Sequence, residues 1–196
     1  MSRTGPRRSE SIRVAVLNAA DDLLVEQGFA ATTIEGIATR AGVAKQTIYR
    51  WWKSKVEILL DALEDDALEG LAWAEPAGTP AEDLTAHLHR VADFFREPAG
   101  QVLQALLGNA QLDKDAAAAL REGFLLKQRE RDLAGLRTII ERHTGRTPNE
   151  DHLGHLTDLL LGPIYYRVLV FGTPPTKDLI EPAAHLTLNL ATPTAN

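Results

Sequence analysis

The sequence predicts an all-α protein of about nine helices, in which a three-helix N-terminal domain precedes a larger C-terminal helical bundle. Apolar residues recur at spacings of three and four along most of the chain, and no stretch shows the sustained two-residue alternation of a β-strand. Gly and Pro interrupt this pattern at intervals of roughly one helix length. A chain of 196 residues has room for a small domain joined to a larger one.

The first helix is predicted from one apolar stripe that ends before Gly28, a common helix stop. Seven residues recur on that face: Ile12, Ala15, Val16, Ala19, Ala20, Leu23 and Leu24. Residues 1–9, with RTGPRR at 3–8, precede the stripe and are expected to form a flexible basic arm.

Two short helices and a tight turn are expected next. Thr32 and Glu35 have the spacing of a capping box, in which a hydroxyl and a carboxylate satisfy free N–H groups at a helix start. That box predicts a short helix over 33–40. Gly42 permits a tight turn, and a third helix is expected over about 44–52. Residues 10–53 are therefore predicted to form a helix-turn-helix domain.

A longer helix is predicted to connect this domain to the rest of the chain. Ser54 and Glu57 repeat the capping-box spacing, so the connecting helix is expected over 54–74. The sequence EPAGTP at 75–80 marks the clearest break in composition. Beyond it, residues 75–196 are expected to form a second domain with helices over 81–96, 98–112, 115–143, 149–172 and 177–191.

Charge is distributed unevenly along the chain. Residues 1–60 contain nine Lys or Arg and six Asp or Glu, a net charge of +3. The remaining residues therefore carry a net charge of −9, because the whole chain carries −6. This division is typical of a polyanion-binding domain attached to a body that a polyanion would repel.

The third helix carries the residue types that read DNA. Projected at about 100° per residue, it places Ala44, Ile48 and Trp52 on one inward face. Gln46 and Arg50 lie opposite that face, and Arg and Gln can bond guanine and adenine edges in the major groove. The flanking and bordering positions hold Lys45, Thr47, Tyr49 and Trp51. A helical hairpin without a DNA function is the alternative explanation of this pattern.

Residues 28–59, GFAATTIEGIATRAGVAKQTIYRWWKSKVEIL, resemble the TetR family of bacterial transcriptional regulators. The resemblance rests on the ordered set GF, TT, IA, AGV, TIY and KSK, and LLLGPIYYRVLVFGTP at 159–174 resembles a late helix of one TetR subgroup. Many members have Tyr or His followed by Phe where this chain has Arg50, Trp51 and Trp52.

The resemblance implies an all-α homodimer that binds DNA and a small effector, with residues 75–196 as the effector-binding and dimerisation domain. The basic arm is expected to reach DNA as well, and a disordered tail is its alternative explanation. Carried over by position, it implies phosphate contacts from Thr33, Tyr49 and Lys55, and contacts to bases or the adjacent backbone from Lys45, Gln46, Thr47 and Arg50. Trp51 is also expected to face DNA, although its indole has only one N–H donor.

A helix at 153–171 is apolar nearly all round, so it must be covered on more than one side. A second copy of the chain is the simplest cover, and a single fully buried core helix is the alternative. We expect a two-fold interface of the last two helices, built from Leu160, Ile164, Leu179, Ala183, Leu186 and Leu190.

An effector cavity is expected among apolar residues with polar interruptions. The candidate contacts are Phe94, Leu103, Leu107, Phe124, Gln128, Tyr165 and Tyr166. Further candidates are Phe95, Leu106, Gln104 and Asn109.

Other classes of function lack their motifs. The sequence contains no Gly-x-Ser-x-Gly, P-loop or His-Glu-x-x-His motif, so an enzyme is not expected. No cofactor is expected, and His152 and His155 have no companion that would complete a metal site. Without cysteine or a membrane-length apolar segment, a cytoplasmic location is expected.

The sequence therefore predicts a repressor that a small-molecule effector releases from a palindromic operator. A transcriptional activator, a ligand-independent DNA-binding regulator, or a helical interaction protein without DNA binding are the alternatives.

Overall fold

The computed structural model describes residues 6–173 and 175–192, with the side chains of 6–9 outside the description. The described chain is all α-helical. Its helices are α1 (Pro6–Ala31), α2 (Ile34–Ala41), α3 (Lys45–Tyr49), α4 (Lys55–Gly70), α5 (Pro80–Phe94), α6 (Pro98–Ala110), α7 (Lys114–Leu120), α8 (Leu126–Thr144), α9 (Glu150–Phe171) and α10 (Lys177–Ala191). A π-helical segment, Arg121–Leu125, joins α7 to α8 without a break. Counting α7 and α8 as one helix, the described ranges contain nine separate helices, and the predicted fold class is confirmed.

The helix boundaries follow local signals in the sequence. Gly28 has φ 79° and breaks α1 where the sequence predicted a stop. The predicted capping box is displaced by one residue, because Thr33 caps α2 by accepting a hydrogen bond from Gly36 N at 3.1 Å. Thr32 is instead buried, and its hydroxyl donates to Gly28 O at 2.9 Å. The start of the predicted basic arm, residues 1–5, lies outside the described residues.

The chain forms two compact units that alternate along the sequence. The first unit contains Met1–Leu68 and Glu97–Phe124, and the second contains Glu69–Arg96 and Leu125–Asn196. In the first unit α6 packs against α1, so this unit is larger than the three-helix domain predicted from the sequence. Its core residues include Val16, Ile37, Ile58 and Leu103.

The second unit is a bundle of α5, α8, α9 and α10, in which α10 packs against each of the other three helices. One face of each helix supplies the core, including Leu88, Leu136, Leu156 and Leu188. Within the part of the chain that the structure describes, no helix is long and apolar enough to cross a membrane.

Candidate DNA-recognition surface and ligand cavity

The α2–α3 pair has the geometry of a helix-turn-helix. Gly42 adopts the left-handed conformation, with φ 67°, that ends α2 and reverses the chain. The Val43 N–H then bonds Ala38 O at 3.0 Å. Ile37 and Ile48 are fully buried, and α2 packs against both α1 and α3.

The outward side of α3 is polar and exposed, as the sequence predicted. Gln46 and Arg50 are both exposed, and Ile48 and Trp52 are buried on the opposite side. Ala44 is exposed rather than inward, because it is the N-cap residue and its backbone is extended, so the helical projection does not apply to it. The α-helix itself is short, Lys45–Tyr49, and N–H groups of residues 51 and 52 continue it by bonding Ile48 O.

The other predicted DNA contacts surround this polar side. Tyr49 is 48% exposed and Trp51 is 38% exposed. Thr33 is exposed at the start of α2, and Thr47 is half-buried. Tyr49 and Trp51 adjoin Arg50 in the sequence, so two exposed aromatic side chains flank the arginine that is predicted to read a base.

Lys45 is held by Glu35. Its ammonium group forms an ion pair with the Glu35 carboxylate of α2 and lies 5.5 Å from the centroid of the Tyr49 ring. The hydrogen bond that Lys45 donates to the Glu35 carboxylate raises the pKa of Lys45. For Lys45 to contact a DNA phosphate, this ion pair must separate, or the ammonium group must bond Glu35 and the phosphate at the same time.

Lys55 points inward. Its Nζ donates to Thr32 O at 3.0 Å and to Phe29 O at 2.5 Å, and it lies 4.1 Å from the centroid of the Phe29 ring. Burial lowers the pKa of this ammonium group. The phosphate contact implied for Lys55 does not fit this position, since its donors are directed at the carbonyls of the corner between α1 and α2.

The carboxylate of Asp61 in α4 supports α3, the recognition helix of the predicted helix-turn-helix, on its buried side. Asp61 Oδ2 accepts hydrogen bonds from Trp52 Nε1 at 2.9 Å and from Arg13 Nε at 3.2 Å. Asp61 and the neighbouring Asp65 raise the pKa of Arg13, with the Asp61 hydrogen bond as the largest cause. Sequence reasoning found Trp52 but missed Arg13 and Asp61, which are 48 residues apart.

The second unit contains a cavity of about 370 Å³ between α8 and α9. Its volume is within the range of about 300–1,000 Å³ that is typical of small-molecule sites. The wall combines apolar, neutral polar and charged side chains: Leu125, Gln128, Arg129, Asp132, Thr157, Asp158, Leu161, Gly162 and Tyr165. Burial is the largest cause that raises the pKa of Tyr165, so its hydroxyl keeps its proton.

Asp132 is the buried charged group of this cavity, with 7% of its surface exposed. Its Oδ1 accepts hydrogen bonds from Trp73 Nε1 at 3.1 Å and from Gln128 Nε2 at 3.0 Å. Burial raises the pKa of Asp132, and these two hydrogen bonds oppose that effect. The Trp73 ring stacks on His87, with 3.6 Å between the centroids.

The predicted effector contacts divide between the two units. Gln128 and Tyr165 line the cavity. The other five do not border it: Phe94, Leu103, Leu107, Phe124 and Tyr166. Leu103, Leu107 and Phe124 belong to the first unit, where Leu103 and Phe124 are core. Phe94 packs beside Phe95 in the core, and Tyr166 is exposed against Phe171.

The predicted dimer contacts also divide into two groups. Leu160 and Ile164 are buried within the chain itself, so they cannot contact a second copy, and that part of the prediction is wrong. The prediction chose the inner face of a helix that is apolar on nearly all sides. On the outer faces, Tyr166 and Val170 of α9 are exposed. Leu186 and Leu190 of α10 are about half exposed, and Leu179 and Ala183 continue their stripe as partly exposed residues.

Two family models match the chain. Residues 16–62 match the bacterial regulatory proteins of the tetR family, and residues 74–187 match the tetracyclin repressor-like C-terminal domain. This chain belongs to the TetR family of transcriptional regulators. It is a DNA-binding transcriptional regulator of that family, and its helix-turn-helix is the family's DNA-binding element.

Relatives of known sequence and structure agree with this membership. The chain is 34% identical over 171 residues to the uncharacterized HTH-type transcriptional regulator YdeS of Bacillus subtilis (strain 168), covering 87% of this chain and 85% of that protein. It is 29% identical to the HTH-type transcriptional repressor KstR of Rhodococcus jostii (strain RHA1), over 72% of this chain and 64% of that protein. The crystal structure of the TetR family transcription regulator SCO0332 superposes with a TM-score of 0.74 at 30% identity, covering 93% of this chain and all of that one.

Proposed function

We propose that this TetR-family regulator is a cytoplasmic repressor that binds a palindromic operator as a homodimer and is released by a small-molecule effector. The observation that carries the DNA-binding part is the two-sided α3: Gln46 and Arg50 face solvent while Ile48 and Trp52 are buried. A relative at 29% identity is a repressor by name, which supports repression as the mode of action.

Base recognition is assigned to Gln46, Thr47 and Arg50. Arg50 would bond a guanine edge with two N–H groups, and Gln46 would bond an adenine edge. Phosphate contacts are assigned to the surrounding residues: Thr33, Lys45, Tyr49 and Trp51. Lys55 is assigned a positioning role instead, since its ammonium group holds the carbonyls of Phe29 and Thr32.

Selection of bound fragments from a random DNA pool tests this proposal directly. A homodimer should select an inverted repeat with half-sites about 34–36 Å apart, one helical turn of DNA. Arg50→Ala should weaken binding by about 1–3 kcal/mol and relax the preference at one base pair of each half-site. Arg121→Ala removes the same charge from an exposed site outside α1–α4 and should leave that base preference unchanged. Failure to select any sequence would overturn the proposal.

The dimer interface is assigned to the exposed stripes of α9 and α10. A charged group in the centre of an apolar interface is costly, so Leu186→Glu should shift the chain toward monomers in sedimentation velocity. The matched control is Leu112→Glu, because Leu112 is 91% exposed and lies in the first unit. A Leu186→Glu chain that sediments as the unchanged chain does would remove this assignment.

Release requires only modest coupling between the ligand and DNA. A coupling free energy of about 1–3 kcal/mol lowers DNA affinity by roughly 5- to 150-fold. The cavity between α8 and α9 is assigned as the effector site, supported by its size and its mixed lining. A titration in which no cavity-binding molecule changes DNA affinity would remove the release mechanism and leave DNA binding intact.

A further inference from the structure

The carboxylate of Asp132 is bonded on one side only. Both recorded hydrogen bonds, from Trp73 and from Gln128, reach Oδ1. Asp132 also lines the cavity, and Oδ2 has no recorded donor among the described residues. Among the described residues, Oδ2 is not one of the buried polar atoms that lack a partner, so it keeps contact with the open space of the cavity, where a bound cation could reach it.

The nearby guanidinium groups are directed elsewhere. Arg129 Nη1 donates to Asp158 Oδ1 at 2.6 Å, and Arg131 Nη1 donates to Gln128 Oε1 at 3.2 Å. Within the described ranges neither of them forms an ion pair with Asp132. The Asp132 carboxylate therefore faces the cavity without an ion pair to Arg129 or Arg131 among the described residues.

Apart from Arg129 and Asp158, which pair with each other, much of the wall is suited to an apolar body. Leu125, Leu161 and the ring of Tyr165 form much of it, and an aromatic face is also compatible with a nearby cation. An anionic ligand would be repelled by the carboxylate, and a neutral ligand would gain a weaker hydrogen bond than a charged one.

We propose that the effector site binds lipophilic amines, with the protonated amine held by Asp132 and the apolar body lying between α8 and α9. This inference rests on the proposed effector site and adds the class of ligand. Charge selectivity follows from the single buried carboxylate, and Gln128 and Trp73 act as positioning residues that orient it.

Three probes with the same apolar body and different head groups test the proposal: 4-phenylbutylamine, 4-phenylbutanol and 4-phenylbutyrate. Calorimetric titration of the full-length protein should give tightest binding for the amine, about tenfold or more above the alcohol and the acid. Asp132→Asn retains an oxygen that can accept from Trp73 and Gln128, and it should lose that preference while binding the alcohol as before. Glu130→Gln is the matched control, because Glu130 is an exposed carboxylate of α8 that does not line the cavity, and it should keep the amine preference.

Either of two results would overturn the inference: an alcohol or acid that binds as tightly as the amine, or an amine that does not bind at millimolar concentration. If Asp132→Asn does not fold, the three probes on the unsubstituted protein still decide the question. Operator affinity is measured in parallel. If an amine binds through Asp132 without changing operator affinity, the proposed ligand class is supported and the proposed release mechanism is overturned. If a ligand of another charge class lowers operator affinity, the release mechanism is supported and the proposed ligand class is overturned.

Discussion

Trp52 donates its indole N–H to Asp61 over 2.9 Å, and this bond joins the end of the recognition helix to the middle of α4. Arg13 of α1 donates to the same carboxylate. Three elements of the first unit therefore meet at one acceptor. The orientation of α3 depends on a polar contact as well as on the burial of Ile48.

Loss of the Asp61 charge should destabilise the first unit. In Asp61→Asn the guanidinium of Arg13, which is mostly buried, keeps only weaker partners, and we expect the free energy of unfolding to fall by about 1–3 kcal/mol. Asp65→Asn is the matched control, since Asp65 also pairs with Arg13, at 3.0 Å, but is 54% exposed. Asp65→Asn should lower the free energy of unfolding by less than about 1 kcal/mol. Urea denaturation measures both, and equal losses would contradict the role given to Asp61.

The pair between Glu35 and Lys45 should restrain DNA binding. Glu35→Gln removes one negative charge beside α3 and releases Lys45, so operator affinity should rise by several-fold at low salt. Lys45→Ala should lower the slope of log affinity against log salt concentration by about one if Lys45 contacts a phosphate. Fluorescence anisotropy over a salt series measures both effects.

The control for this prediction is another ion pair of the same unit. Glu26→Gln also removes one negative charge, but Glu26 pairs with Arg40 rather than with a residue of α3. It should raise affinity less than Glu35→Gln does. An unchanged salt slope in Lys45→Ala would remove Lys45 from the set of phosphate contacts.

Gly135 is required for the position of Trp73. A Cβ at residue 135 would overlap the indole ring, so Gly135→Ala should displace Trp73 and lower the free energy of unfolding by about 1–3 kcal/mol. Gly108→Ala is the control, because a Cβ there meets no atom within 4 Å. In that helix the change should be neutral or stabilising by up to about 1 kcal/mol. Thermal denaturation followed by circular dichroism distinguishes the two.

Asp21 should make stability depend on pH. Burial, with Asp66 and Asp22 nearby, raises its pKa to about 7, and its Oδ1 has no hydrogen-bond partner among the described residues. The carboxyl therefore binds its proton more tightly in the folded chain than in the unfolded one. Its contribution to stability is present below about pH 4 and is lost as pH rises from there to about 7.

Asp21→Asn should remove this dependence. We expect a gain of about 1–3 kcal/mol at pH 8, since a shift of one pKa unit corresponds to about 1.4 kcal/mol and part of the Asp21 side chain reaches solvent. Denaturation at pH 5 and pH 8 gives the difference. Asp22→Asn leaves Asp21 in place and should retain most of the dependence; a loss as large as that in Asp21→Asn would contradict the prediction.

The fold and the recognition helix could be predicted because their signals are local. The spacing of Ile48 and Trp52 on one side of a single turn of helix is enough to place Gln46 and Arg50 on the other. The caps at Thr33 and Gly42 depend on neighbours within a few residues. Such features require no knowledge of how distant segments meet.

Polar partners that lie far apart in the chain could not be predicted. Trp73 and Asp132 are 59 residues apart, and nothing in the spacing of either residue indicates the other. The apolar helix α9 shows a related difficulty. Its composition indicates burial on several sides, but it does not distinguish Leu160, which faces its own chain, from Val170, which faces outward.

The three tryptophans of this chain are divided unequally between its two units, with Trp51 and Trp52 in the first and Trp73 in the second. Replacing the first two with phenylalanine would leave Trp73 as a single tryptophan, one hydrogen bond away from Asp132. Its emission would then report occupancy of the neighbouring cavity without any added dye. Because the sequence has no cysteine, a thiol label introduced at Leu112 could be read in the same sample as an independent signal from the first unit.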